Sequence, residues 1–174
     1  MILNGKFYGF YIILRFLRSI QNQFFDDIEI IFIDDFSKDS SVKVIEYYKN
    51  EDERIILLKQ KKNKGTLISR NIGVLLSKGN YIIIPDSDDI LSNKILQNCY
   101  ETSIKYNYEM IRFNQYEQKT KGKGWMQVIN NLESHEIYQP KLSTFMFYGL
   151  GYLKLNDFSI SNKFIKRTAY KNRG

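Results

Sequence analysis

Two short, nearly continuous apolar runs, Ile28–Ile33 and Tyr81–Ile84, constrain this chain more than any other feature. Both are rich in isoleucine, whose branched Cβ suits an extended backbone, and both are too short for an ordinary helix. A strand without polar alternation is buried on both faces, so helices must cover it from above and below. The flanking sequence supplies them. Phe10–Gln21 carries Ile13, Leu14, Leu17 and Ile20 at helical spacing. Asp39–Lys49 reads as a helix with Val42, Ile45 and Tyr47 or Tyr48 inward, and Leu67–Ser77 as one with Ile68, Ile72, Leu75 and Leu76 inward. Arg54–Leu58 and Glu109–Phe113 read as strands and Asn93–Tyr106 as a helix. This alternation predicts an α/β fold of βαβ units with a mostly parallel sheet flanked by helices.

The regular pattern covers residues 1–115 and weakens over 116–174. There Gln118–Gly124 reads as a loop, and only Ser143–Tyr148 and Ile160–Ile165 look ordered. With no internal repeat and no second core, one domain over residues 1–174 is expected. At 43% apolar and 26% charged residues the chain is ordinary globular material. One cysteine, Cys99, excludes a disulfide framework, and one histidine, His135, excludes most zinc and histidine-triad chemistry. Carboxylate, lysine or backbone chemistry is left.

The formal charge of +7 is mostly lysine, and it accompanies an excess of Ile, Asn, Tyr and Phe of the kind AT-rich coding produces. The basic runs Lys59–Lys64 and Lys163–Arg173 lack the periodic aromatics of a stacking platform, so no nucleic-acid partner is expected. Phe7–Leu17 is apolar apart from Gly9 and Arg15. It falls short of the roughly 20 residues a membrane span needs. Neither a transmembrane helix nor a signal peptide is read, a cytosolic face is favoured, and membrane association is left open without being indicated.

In a parallel sheet, ligands bind beyond the carboxyl ends of the strands. Ile28–Ile33 is followed by Asp34, Asp35, Phe36, Ser37, Lys38 and Asp39, and Tyr81–Ile84 by Pro85, Asp86, Ser87, Asp88 and Asp89. Five carboxylates gathered on one rim repel one another unless a hard cation compensates, which suits Mg²⁺ or Mn²⁺ shared with phosphates. A plainer reading stands beside this one: Ser37 or Asp39 as a helix cap, and Asp34-Asp35 as a turn. Between the clusters, Gly65 permits a tight loop before a helix whose first N–H groups can face an anion. Arg70 and Asn71 lie one turn inside that helix.

These segments, taken together, resemble the family 2 glycosyltransferases. The resemblance begins at Leu17-Arg18-Ser19-Ile20 and runs through Ile28–Ser40, Asn63-Lys64-Gly65 and Ser69-Arg70-Asn71-Ile72-Gly73. It continues in order through Ser77–Ile82 and Asp86-Ser87-Asp88-Asp89, with a later echo at Ser161–Arg167. It implies a Rossmann-like GT-A fold and inverting, metal-assisted transfer of a hexosyl group from a nucleotide-diphosphate sugar, with a UDP-sugar favoured and the acceptor unknown. By position it implies donor-binding roles for Asp34, Asp35, Ser37, Gly65, Arg70, Asp86 and Asp88. Asp35 would meet the base N–H, Asp86 the ribose or a metal-bound water, and Asp88 the Mn²⁺ or Mg²⁺ ion, with Asp86 as second metal candidate.

Two departures from the family pattern stand out. The first strand has little room before Leu17, so it is expected to be degenerate or missing, with Tyr8–Leu14 as a substitute. No acidic doublet follows the Asp-x-Asp motif, leaving Asp157 and Glu136 as base candidates. A chain shortened at both ends is expected, active or reduced to a nucleotide-sugar-binding remnant. A phospho-accepting receiver also ends a buried strand in paired aspartates, but neither the second acidic cluster nor the Gly65 loop suits it.

Overall fold

The computed structural model describes residues 2–5, 10–112, 115–119, 125–129 and 163–171, with side chains described for 11–112 and 163–170. In chain order the elements are β1 (Ile2–Gly5), α1 (Phe10–Gln21), β2 (Ile30–Asp34), α2 (Ser41–Glu51) and β3 (Ile55–Lys59). Then follow α3 (Thr66–Leu76), β4 (Tyr81–Ile83), β5 (Ile90–Leu91), α4 (Ile95–Tyr106) and β6 (Met110–Arg112). β7 (Gln115–Lys119), β8 (Trp125–Ile129), β9 (Lys163–Lys166) and α5 (Arg167–Lys171) complete them.

Every residue of β2 is buried, and its side chains divide by parity between two apolar layers. Ile30 and Phe32 pack with Ile13, Phe16, Leu17 and Ile20 of α1, Val44 and Ile45 of α2, and Ile95, Leu96 and Cys99 of α4. Ile31 and Ile33 pack with Val74 of α3, Ile82 and Ile84, with Tyr170 of α5 against them. β4 obeys the same parity, because Ile83 joins the first layer and Ile82 the second. Period-2 alternation therefore puts β2 and β4 in one continuous sandwich. Each fully buried isoleucine contributes about 1.5–3 kcal/mol.

β1, β2 and β3 pair in parallel. The first strand is present as the four-residue β1, not missing, and Phe10–Leu14, within the substitute expected over Tyr8–Leu14, is helical. The parallel order is not carried through the rest of the molecule. β9 enters antiparallel between β4 and β6, and β7 pairs antiparallel with β8, which pairs in parallel with β5. β7 also extends through Gln118 and Lys119, where a loop was expected.

α3 corrects the sequence expectation most clearly. Its buried residues are Ser69, Gly73 and Val74, whereas Ile68, Leu75 and Leu76 are exposed. Small side chains at 69 and 73 let this helix lie close on the sheet; of the larger residues expected inward, Ile72 packs against the second layer, while Ile68, Leu75 and Leu76 turn outward. In α2, likewise, Val44 takes the inward place expected of Val42.

The loop from α3 to β4 is clamped from two sides. The carboxylate of Glu29, just before β2, accepts the backbone N–H groups of Lys78 and Gly79. Arg167 donates to the carbonyls of Gly79 (2.6 Å) and Ser77 (3.3 Å). The starts of β2 and β4 are thereby held side by side. Cys99 is buried, and burial pushes its thiol up to about 12, as suits an inert core residue.

Asp52 joins three elements, accepting from Arg54 Nε (2.9 Å) and Nη2 (2.8 Å) and from Gln21 Nε2 (3.4 Å). The Arg54 hydrogen bonds hold its carboxyl below the ordinary value of 3.8. A depressed carboxyl stabilises the fold above its unfolded pKa and ceases to do so as pH falls through the folded one. Asp52→Asn is expected to lower the Tm by about 2–4 °C at pH 7. Melting curves should show that gap closing as the pH drops below the ordinary carboxyl range.

Candidate functional site

The carboxyl ends of β2 and β4 both meet the first turns of α3. At the β2 end, Asp34 is buried and its Oδ1 accepts Ser37 N at 3.1 Å, closing the turn after the strand. Its backbone carbonyl accepts Gln60 N at 2.9 Å, which holds the loop after β3 alongside. The Ser37 Oγ is buried and has no hydrogen-bond partner among the described residues. Asp39, not Ser37, serves the start of α2, since its Oδ1 accepts Ser41 N at 3.0 Å. Phe36, directly after Asp35, has φ +67°. A bulky residue rarely adopts this left-handed backbone. Its exposed ring lies beneath the Lys38 ammonium, 3.6 Å from the centroid.

Asp35 organises the loop that leads into α3. Its Oδ1 accepts Lys64 N at 2.7 Å and Gln60 Nε2 at 3.1 Å, and its Oδ2 accepts Gly65 N at 2.8 Å. A carboxylate offers about four acceptor positions. Among the described residues three are filled, and one remains on Oδ2. Gly65 makes this geometry attainable with φ +86° and ψ 160°, a region essentially confined to glycine. Ser69, one turn into α3, donates its hydroxyl to Gly65 O at 3.1 Å and accepts from Gln60 Nε2 at 2.7 Å.

The next residue on the helix reaches the other cluster. Arg70 Nη2 lies 3.0 Å from Asp86 Oδ1. Burial raises the Asp86 pKa and the Asp88 charge adds to this, while Arg70 opposes both. Asp88 is exposed, and no ion pair joins it to another described residue. Asp89 is buried and closes the turn: its Oδ2 accepts Asp86 N at 3.0 Å, and its own N–H donates to Asp86 O at 3.1 Å. Burial pushes its carboxyl up to about 7. Just beyond the acidic turn, α1 and the chain directly after it anchor β5 and the residue that follows β5. Ser19 Oγ accepts Leu91 N at 3.2 Å, and the Gln23 side chain donates to Ser92 O at 2.7 Å.

The structure thus brings Asp35, Gly65, Arg70 and Asp86 around one helix start, with Asp88 on the adjoining turn, while Asp34 and Ser37 pair with each other in the turn after β2. Among the described residues no three His, Cys, Asp or Glu side chains form a ready-made metal cage. The base candidates Asp157 and Glu136 lie outside the described residues, as does Ser143–Tyr148. Sequence reading missed Gln60 and Ser69. Gln60 is marked only by its polarity at a strand end, and Ser69 only by its place in the Ser69–Gly73 run. Among the described residues no helix is long and apolar enough to cross a membrane.

Comparison with known proteins gives a consistent result. The sequence profile described as Glycosyl transferase family 2 matches residues 11–174. The poly(ribitol-phosphate) β-N-acetylglucosaminyltransferase TarP of Staphylococcus aureus (strain N315) is 32% identical over 158 residues, which cover 86% of this chain and 46% of TarP. Glycosyltransferase GlyG of Streptococcus pneumoniae serotype 4 is 31% identical over 100 residues, covering 58% of this chain and 33% of GlyG. The chain therefore spans less than half the length of these two relatives. Among solved structures, S. aureus TarS 1-349 in complex with UDP-GlcNAc superposes with a TM-score of 0.68 at 18% identity, over 96% of this chain and 45% of that one. The Pyrobaculum calidifontis mannosyltransferase PcManGT with GDP-Man and Mn²⁺ gives 0.60 at 15% identity, over 66% of this chain and 34% of that one. These likenesses establish the GT-A fold.

Gly65 gives a direct test of the loop geometry. A Cβ placed there meets nothing within 4 Å, so any penalty comes from the backbone and not from a clash. Gly65→Ala is expected to cost about 1–3 kcal/mol. Denaturant titration measures it, and a neutral result would contradict this account of the loop.

Proposed function

The chain belongs to glycosyl transferase family 2, and we propose that it binds a nucleotide-diphosphate sugar at the start of α3 and transfers the sugar to an acceptor hydroxyl with inversion. One observation carries this reading. Arg70 reaches Asp86 while Ser69, its neighbour on the helix, is tied through Gln60 to Asp35. One helical turn thereby connects the two carboxylate clusters that the resemblance assigns to the two ends of a donor.

In this reading the base lies against Asp35 and the loop 61–65. The acceptor position left on Asp35 Oδ2 suits one N–H of a nucleobase. The diphosphate lies toward Arg70, Asp86 and Asp88, beside the positive end of the α3 dipole. The donor set fits a hard cation: Asp88 is exposed, and Asp86 is held at a raised pKa by burial and by the Asp88 charge. Sites of this kind use one or two carboxylates together with substrate phosphates, so two aspartates suffice without a three-residue cage. Asp88, with Asp86, would hold Mn²⁺ or Mg²⁺, which when bound supplies Lewis-acid neutralisation of the departing diphosphate. Arg70 adds a fixed positive charge where negative charge grows. Asp89 keeps the backbone of the acidic turn in place. The acceptor hydroxyl needs a carboxylate base on the opposite face of the sugar, for which Asp157 and Glu136 are the candidates.

The nucleotides in the TarS and PcManGT structures, UDP-GlcNAc and GDP-Man, support a nucleotide-sugar donor. A uridine nucleotide is favoured because the longer match is to TarS. The alternative, a donor-binding module without turnover, is distinguished by transfer and hydrolysis assays on the 174-residue chain.

Calorimetric titration of UDP-GlcNAc with Mn²⁺ tests the donor site. Asp88→Asn is expected to abolish the Mn²⁺-dependent part of binding while leaving the Tm within about 2 °C. Arg70→Met removes a charge-assisted contact and is expected to weaken binding about 10- to 100-fold. Wild-type affinity in both variants would refute the assignment.

A further inference from the structure

Gln60, the first residue after β3, is only 8% exposed. Its two amide hydrogens are both used, one on Asp35 Oδ1 at 3.1 Å and the other on Ser69 Oγ at 2.7 Å. Chemistry fixes this orientation. An ionised carboxylate only accepts, and Ser69 already gives its hydroxyl hydrogen to Gly65 O, so the amide nitrogen has to face both. The carbonyl Oε1 is consequently turned away from them, buried and without a hydrogen-bond partner among the described residues. A buried carbonyl left unmet costs about 1–3 kcal/mol. Such a group is exceptional in a folded protein and calls for an explanation.

We propose that Gln60 is a positioning residue for the nucleotide donor. Its amide nitrogen locks Asp35 to the helix that carries Arg70, and its carbonyl oxygen accepts an N–H from the bound base. Among the described residues Asp35 Oδ2 and Gln60 Oε1 each keep an acceptor position open, so the pair matches a base edge that donates N–H: guanine offers two such donors, N1–H and its 2-amino group, whereas uracil would share its single N3–H between them. This inference rests on the donor-site reading and goes beyond it. It names a second acceptor for the base, held beside Asp35 by its own amide.

The test compares ligands that carry a base with one that does not. The 174-residue chain is titrated in the presence of Mn²⁺ with UDP, GDP and inorganic pyrophosphate. In Gln60→Met, which keeps the length and removes the polar head, the tighter-binding nucleoside diphosphate is expected to lose at least about tenfold in affinity. Pyrophosphate should change by less than about twofold, because the Arg70–Asp86 end is untouched. Gln60→Glu sets a carboxylate against Asp35 and should weaken the nucleotide further. If that variant does not fold, Gln60→Met alone decides. Equal losses for nucleotide and pyrophosphate would reduce Gln60 to a scaffold residue, and unchanged nucleotide affinity would also overturn the proposal. A wild-type chain that binds neither ligand would overturn the donor site itself, and this inference with it.

Discussion

The architecture depends on one electrostatic constraint: two buried strands end in aspartates at the same place. Burial on both faces makes β2 and β4 rigid and leaves their ends as the nearest place for polar chemistry. Carboxylates set that close together repel unless each is given a donor or a cation. The chain resolves most of this internally. Asp34 closes its own turn, Asp35 takes two loop N–H groups and an amide, and Asp89 accepts a backbone N–H while burial pushes its carboxyl up to about 7. The remainder falls on Asp86, which meets Arg70, and on exposed Asp88. Those two are the carboxylates whose charge the described backbone does least to offset.

The same arrangement explains why α3 begins with an unusual glycine and presents small residues inward. Its first turn has to reach both clusters, so the helix must lie close on the sheet, which Ser69 and Gly73 permit. The preceding loop must turn its N–H groups onto Asp35, which the positive φ of Gly65 permits. At the opposite end, Glu29 and Arg167 clamp the α3–β4 loop, so the helix is fixed at both termini. A helix held in this way can position Arg70 without help from a ligand.

Much of this was legible in the sequence, because hydrophobic period and buried length are local signals. The bounds of α1 were read as Phe10–Gln21, and β2, β3, β4 and α4 lie within two residues of their expected limits. The acidic clusters were legible because a polar cluster after an apolar run marks a strand end. What the sequence concealed depends on long-range packing. The inward face of α3 was misread because periodicity weighs Ile68 and Leu75 above Ser69 and Gly73, and the close approach that rewards small residues appears only in three dimensions. The antiparallel insertion of β9 between β4 and β6 joins segments more than fifty residues apart and leaves no local mark. The division of labour among Asp34, Asp35, Asp86, Asp88 and Asp89 is equally non-local, since identical side chains differ only in which donors surround them.

The central claim is that the ends of β2 and β4 and the start of α3 form one nucleotide and cation site. Paramagnetic broadening by Mn²⁺ in the amide NMR spectrum of the chain, recorded with UDP present, tests it most directly. Broadening is expected to centre on Asp86–Asp89 and extend to Gly65–Arg70, and to be abolished by excess Mg²⁺. Broadening centred elsewhere, or none at these amides with nucleotide bound, would contradict it.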